Sequence, residues 1–434
     1  MSDNVDNRVI VPAGLGEELD RLLAEDDAHL AAAYPGDRGV RQPVHTVYVP
    51  ADRYAATTVA DWGRAGLAAL DEHAPDAAAV AAAWGLDPAL AVEVHAAVRR
   101  KLAEQPIEDL RIDLEDGFGV RPDEEEDAVV VAAARALAAS VRAGAAAPFH
   151  GIRFKSLEAP TRARGLRTLA LFVGELVAAG EGVGGLGDLG GLVVTLPKVT
   201  SVAQVEAMVV ACGRLEQEHG LAPGSLRFEI QVETPQSILG ADGTLLVARM
   251  IHAGQGRVTG LHYGTYDYSA SCGIAAAYQS MEHPAADHAK AIMQVAAAGT
   301  GVFVSDGSTN VLPVGDHASV LAAWRLHGRL VRRSLERGFY QGWDLHPAQL
   351  PSRYVATDAF YREGLPGAAA RLHAYVHGGD SGYLDEPATA AALAGFVMRG
   401  VDCGAVTPAE LEERIGVDVD RLAVLARRRV AATG

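Results

Sequence analysis

The chain has 434 residues, 49% of them hydrophobic, enough to bury a large core in one big domain or two ordinary ones, which argues against disorder. Its formal charge of −17, from 38 Lys plus Arg against 55 Asp plus Glu, offers no basic footprint for nucleic acid or anionic lipid. Cys212, Cys272 and Cys403 lack C-x-x-C spacing and suggest neither a disulfide framework nor a zinc ribbon, so a reducing cytoplasm is expected. The amino terminus has no signal-peptide pattern, and no window approaches the ~20 apolar residues of a membrane span.

Residues 14–33 repeat apolar positions at helical spacing before Pro35 and Gly36, which predicts an amino-terminal helix outside the main core. VHTVYV (44–49) reads as the first strand. The segment 51–105 is too long for one crossover and reads as two or three helices, broken or begun at Pro75 and Pro88, so it is expected to be an insertion. Strand candidates then alternate with helical segments. LRIDL (110–114) precedes a helix over 124–142, HGIRF (150–154) one over 162–179, and LVVTL (192–196) one over 201–219. LRFEIQV (226–232) and VTGLHY (258–263) lead to a helix over 285–298, GVFVS (301–305) to one over 316–337, and GWDLH (342–346) closes the series. Between the third helix and fourth strand, Gly182, Gly184 and Gly187 form a G-x-G-x-x-G. Phosphate cradling needs strand, glycines, then helix; here a helix precedes and a strand follows, so the stretch is read as a loop. Past residue 350 the strands cease, and 384–400 and 407–431 read as helices.

Eight strand–helix units predict an α/β protein, a (β/α)8 TIM barrel. It would comprise an amino-terminal helical arm (1–40), a barrel (41–350) with a helical insertion at about 51–105, and a carboxyl-terminal helical segment (351–434). A doubly wound open sheet is the competitor. The barrel is preferred because polar residues end strands along the whole series rather than at one switch point.

In such a barrel the carboxyl ends of the strands share one mouth. They carry Asp113, Glu115 and Asp116, then Arg153 and Lys155, Lys198, Glu233, Asp267, Asp306 and His346. Neighbouring strands lie ~4.8 Å apart, so Glu233 and Asp267, from successive runs, can share one cation. A hard cation held by two carboxylates keeps positions open for water and substrate oxygens, a habit of magnesium rather than structural zinc. Arg153 beside it would stabilise an enolate, a contribution on the order of 3 kcal/mol. The structural alternatives are that Glu233 and Asp267 pair with a buried base such as Lys198, that DLEDG is a turn and helix start, and that His346, ahead of a proline, is a core histidine. His283 and His288 are expected at the surface. No serine-hydrolase, zincin or P-loop pattern is present.

DLEDG, IRF, TLPKV, QVET, YGTYDYSASCG, FVSD and GWDLHPAQL occur in the order and at roughly the spacing of the citrate lyase beta subunit and malyl-CoA lyase family, within the phosphoenolpyruvate/pyruvate-binding barrel superfamily, which the chain resembles over about residues 44–400. The resemblance implies Glu233 and Asp267 as magnesium ligands, with manganese the alternative, and Arg153 as the enolate-stabilising arginine. It also implies that Glu115 and Asp116 organise the metal waters and Arg153. Asp385, in GYLDEPATAAAL, would be the acid/base on a lid often given by a neighbouring subunit, hence a homo-oligomer; the alternative is a helix cap near Pro387. Substrate contacts are assigned to Arg153, Lys198, Pro235 and His346. Val44 and His45 stand where relatives commonly carry Arg-Ser, Lys155 replaces an Asn, and the insertion is extra, so substrate identity does not carry over.

The expected function is a magnesium-dependent carbon–carbon lyase or condensing enzyme acting on a 2-hydroxy or 2-oxo acid or its CoA thioester, with malyl-CoA cleavage as the implied reaction. The rivals are an aldolase using a pyruvate enolate without CoA, and a metabolite-binding barrel without turnover. No nucleic-acid or membrane partner is expected.

Overall fold

The computed structural model describes residues 12–180, 191–379, 382–383 and 385–426. Eight strands form the centre: β1 His45–Pro50, β2 Asp109–Asp113, β3 Phe149–Arg153, β4 Leu192–Leu196, β5 Arg227–Val232, β6 Val258–Tyr263, β7 Phe303–Ser305 and β8 Gly342–Asp344. All adjacent pairs are parallel, in the order β7-β6-β5-β4-β3-β2-β1-β8. A bridge from Ser305 to Gln341 and the bonds Asp306 N–H to Gln341 O (2.9 Å) and Trp343 N–H to Gly307 O (3.0 Å) join β7 to the β8 segment. The sheet therefore closes on itself, and the fold is the (β/α)8 barrel. The open-sheet alternative is excluded because both of its edges are paired.

The helices form where local chemistry starts them. Asp87 accepts from Ala89 and Leu90 N–H ahead of Pro88 and begins Pro88–Glu104; Ser201 and Asp316 cap Val202–His219 and His317–Glu336 in the same way. Four acids occupy the first turn of Asp123–Arg142, at the positive end of its dipole. The segment after β1 holds three α-helices, Thr58–His73, Ala77–Trp84 and Pro88–Glu104. The amino-terminal helix, Leu15–Ala33, buries no residue.

At the carboxyl end the predicted helical segment 351–434 begins with a helix of 28 residues, Leu350–His377, that was not resolved individually from the sequence. Its length went unseen because 15 of its residues are buried, so it lacks the one-sided stripe that marks a surface helix. The predicted helix 407–431 is two, Pro408–Ile415 and Val419–Ala426, parted at Gly416 with φ 77°; its last residues, like the glycine stretch at Gly182, Gly184 and Gly187, lie outside the described residues. All three cysteines are free. No single described helix is long and apolar enough to cross a membrane.

Candidate active site

Strand residues i, i+2 and i+4 share a face, and two strands turn a polar face inward. On β2 the series is Asp109, Arg111, Asp113; on β5 it continues past the strand as Arg227, Glu229, Gln231, Glu233. The interleaved Leu110, Ile112, Phe228, Ile230 and Val232 belong to the hydrophobic core. At mid-barrel Arg111 (1% exposed) binds Asp109 and donates to Glu229 Oε2 at 2.7 Å, while Thr195 and His262 also bond Glu229. Barrel interiors are usually packed with branched aliphatic side chains; here an ion network forms the floor of the mouth. Sequence reading missed it, although the i, i+2 spacing of Asp109, Arg111, Glu229 and Gln231 carried the signal.

Above the floor, Arg153 is clamped by Asp113, with Nε to Oδ1 at 2.7 Å and Nη2 to Oδ2 at 2.8 Å. It lies 4.7 Å over the Tyr48 ring, and its Nη1 faces Glu115 Oε2 at 3.5 Å. Against burial, which would lower it, Asp113 and then Glu115 hold the guanidinium pKa well above its usual value. Lys198 has φ 50°, a left-handed backbone uncommon outside glycine. Its Nζ meets Glu115 Oε1 (2.7 Å), Asp116 Oδ2 (2.9 Å) and Asp267 Oδ2 (3.4 Å), and its N–H donates to Glu233 Oε1 at 2.7 Å. Glu233 is buried and also accepts from Gln231 Nε2 at 2.7 Å. Burial, reinforced by Glu115 and Asp267 and opposed by Lys198 and Arg153, pushes its carboxyl up to about 8. Burial also raises Glu115, while the Lys198 ammonium holds Asp116 below its usual value.

Glu115, Asp116, Arg153, Lys198, Glu233 and Asp267 thus share one mouth, and the ammonium of Lys198 stands among the carboxylates. The structural alternative is met in part: Asp267 faces the Lys198 ammonium at 3.4 Å, while Glu233 feels that charge but makes its hydrogen bond to the Lys198 backbone N–H. Each oxygen of an ionised carboxylate accepts two bonds, so both acids keep acceptor capacity. Among the described residues no three His, Cys, Asp or Glu side chains form a ready metal cage. The donor set is oxygen from two carboxylates, which fits a hard cation that keeps water and substrate oxygens in its shell.

Other strand-end residues leave the mouth. Lys155 turns outward to Glu126 (2.7 Å) and Leu114 O. Asp306 is buried against Lys290 and Ser334. His346 caps the short helical turn Pro347–Gln349, with Nδ1 accepting from Ala348 N–H at 3.2 Å, so that nitrogen is engaged in structure. Pro235 is the first residue of the helix Pro235–Ile238, directly after Glu233 and Thr234. His45 is fully buried, bonded through Nδ1 to Asp344 at 2.7 Å, a packing role in place of the Arg-Ser pair. Asp385 pairs with Arg371 on Leu350–His377 (Nε to Oδ2, 3.1 Å). Among the described residues no hydrogen bond or ion pair joins it to the mouth of its own chain. It does not cap Pro387–Cys403 either; the residue in that place is Glu386.

The profile of a family described as "Domain of unknown function (DUF6986)" matches residues 23–430. No curated protein matches the chain. Among solved structures, a citrate lyase from Burkholderia xenovorans LB400 is 17% identical with a TM-score of 0.55, covering 86% of this chain and 98% of its own. A Haloferax volcanii malate synthase magnesium/glyoxylate complex is 15% identical with a TM-score of 0.48, covering 91% and 99%. A citrate lyase beta subunit from M. tuberculosis, complexed with oxaloacetate and magnesium, is 18% identical with a TM-score of 0.41, covering 74% and 98%. The first of these shows a shared fold, as the sequence resemblance implied.

Proposed function

The chain belongs to the DUF6986 family, and for this member we propose a divalent-metal-dependent carbon–carbon lyase that works through an enolate on a short 2-hydroxy or 2-oxo acid or its CoA thioester. One observation carries the reading. Among the described residues, five carboxylates at the mouth, those of Asp113, Glu115, Asp116, Glu233 and Asp267, face two cations, Arg153 and Lys198, and burial pushes the Glu233 carboxyl up to about 8. A group of this kind calls for further positive charge. Glu233 and Asp267 would hold magnesium, or manganese in its place, and the ion when bound would supply Lewis-acid polarisation of substrate oxygens.

The remaining work falls to the chain's own residues. With Nε and Nη2 of Arg153 held by Asp113, Nη1 is the remaining edge; it faces only the longer 3.5 Å contact with Glu115 and would serve an enolate oxygen as it gathers charge. Glu115 and Asp116 fix Lys198, whose ammonium would meet the substrate carboxylate. The substrate hydroxyl loses its proton to water at the mouth as its oxygen becomes the carbonyl of the departing product; the electron pair of the breaking carbon–carbon bond passes to the enolate oxygen, and the enolate carbon then takes a proton. By the resemblance, Asp385 of a second copy would move that proton, once released from Arg371 of its own chain, which holds its carboxyl below the usual range.

The test is an assay of the purified protein with magnesium, offering a malyl-CoA thioester and, separately, a free hydroxy-oxo acid. Release of acetyl-CoA and glyoxylate supports the thioester substrate, and release of pyruvate supports the free acid. No cleavage of either, or a magnesium titration that Glu233→Gln leaves unaltered, removes the proposal.

A further inference from the structure

The opposite end of the barrel holds a cavity of about 270 Å³, near the lower bound of small-molecule sites, at ~300 Å³ and above. Its walls are the starting ends of the strands, Phe149 of β3 and Arg227 of β5 among them. The arm ahead of β1 closes one side with Arg38, which stacks 5.2 Å over Phe303. The Arg111–Glu229 network separates this cavity from the mouth.

Three buried polar atoms on its lining have no hydrogen-bond partner among the described residues: Arg38 Nε, Ser225 Oγ and His262 Nδ1. His262 is 2% exposed, and its other nitrogen is taken by Glu229 at 3.1 Å. A buried polar group left unmade is costly, so three on one cavity mark a place built for a ligand or ordered water. The chemistry is asymmetric. An arginine Nε–H can only donate and a serine hydroxyl readily does so, so the complement is rich in acceptors.

Charge points the same way. Arg227 is exposed at the rim, and no ion pair of Arg38 or Arg227 is found among the described residues, although the chain is strongly acidic. The two cations are close enough that, after burial, Arg227 is the next cause lowering the Arg38 pKa, with Asp37 opposing. The Asp109 and Glu229 carboxylates on the same lining are already taken by Arg111, and Arg38 spends one Nη2 bond on Thr259 O at 3.2 Å, which leaves two guanidiniums without an ion pair among the described residues, an arrangement that binds oxyanions.

We propose that the amino-terminal face of the barrel is a second ligand site, separate from the mouth, which takes a small dianion on Arg38 and Arg227 and reaches Ser225 and His262 with its polar body. The shared chemistry is an oxyanion, either phosphate or a dicarboxylate.

Calorimetric titration of the full-length protein with inorganic phosphate and with succinate tests this. Binding of either probe is expected, weakened about tenfold or more by Arg227→Glu, which changes only an exposed side chain, and unchanged in Glu233→Gln at the mouth. Ser225→Ala, the loss of one hydroxyl, should weaken binding in the same direction and guards against misfolding of the first variant. Phosphate binding alone assigns a headgroup site, and succinate binding alone assigns one that needs the carbon body. No heat with both probes overturns the proposal. So does binding that survives Arg227→Glu, or binding that Glu233→Gln abolishes.

Discussion

Arg153 shows how much one side chain's neighbours decide. Asp113 binds Nε and Nη2, and a planar fork is what makes that grip compatible with an Nη1 turned to Glu115 and the mouth. Arg153→Lys keeps the charge but loses the fork. Turnover is expected to fall about a hundredfold to a thousandfold, with magnesium affinity, read by titration, little changed. Asp358 makes a second prediction. Burial pushes its carboxyl up to about 7, with Lys101 and Arg362 opposing and Glu108 adding to the rise. An unfolded aspartate titrates near 3.9, so between about pH 4 and 7 the folded chain holds more protons than the unfolded one. Stability contributed by this group therefore falls as pH rises through that window and stays low above it. Asp358→Asn should remove the fall and stabilise the protein at pH 8 by on the order of 4 kcal/mol, while leaving denaturant midpoints at pH 4 nearly unchanged.

At the scale of elements, the turn after β6 positions the site. A Cβ on Gly264 would lie 2.5 Å from Glu233 Cβ and 2.9 Å from its Oε2, although the backbone there, φ −95° and ψ 97°, accepts any residue. Gly264→Ala should accordingly displace the Glu233 carboxylate. Magnesium affinity is expected to drop about tenfold or more, while the far-ultraviolet dichroism stays that of the parent, because buried close packing yields first at the side chain. The strands themselves were legible as eight short apolar runs, and so was the shared mouth, since parallel barrel strands end on one side. Which way each strand-end residue faces was not legible. Lys155 is two residues beyond Arg153, yet β3 has already ended and the chain turns toward Glu126. Asp306 likewise follows the end of β7 and meets Lys290.

The whole molecule raises the question of Asp385. In one chain it is bound to Arg371, and the Pro387–Cys403 helix that follows borders the arm 37–42 and Phe303, on the starting side of the strands. A role at a mouth requires a neighbour's mouth, as closed symmetric oligomers allow. Asp385→Asn and Glu233→Gln are each expected to abolish lyase activity, and co-expression of the two should restore about a quarter of the parental rate, the statistical share of intact mouths facing intact lids. Activity that stays absent in the mixture would place the acid elsewhere.

The order of elements was fixed by local rules, because apolar runs, caps and glycine breaks act over a few residues. Glu233, Asp267, Arg153 and Lys198 could be grouped from the string alone once eight parallel strands were inferred. Only the closed barrel decided that Lys198 would stand among Glu115, Asp116 and Asp267, that Arg111 and Glu229 would pair across the interior, and that Arg38, Ser225 and His262 would meet at the far end. Those partners come from strands far apart in sequence, and their contacts depend on shear and side-chain direction, quantities set by closure and not by any single run of residues.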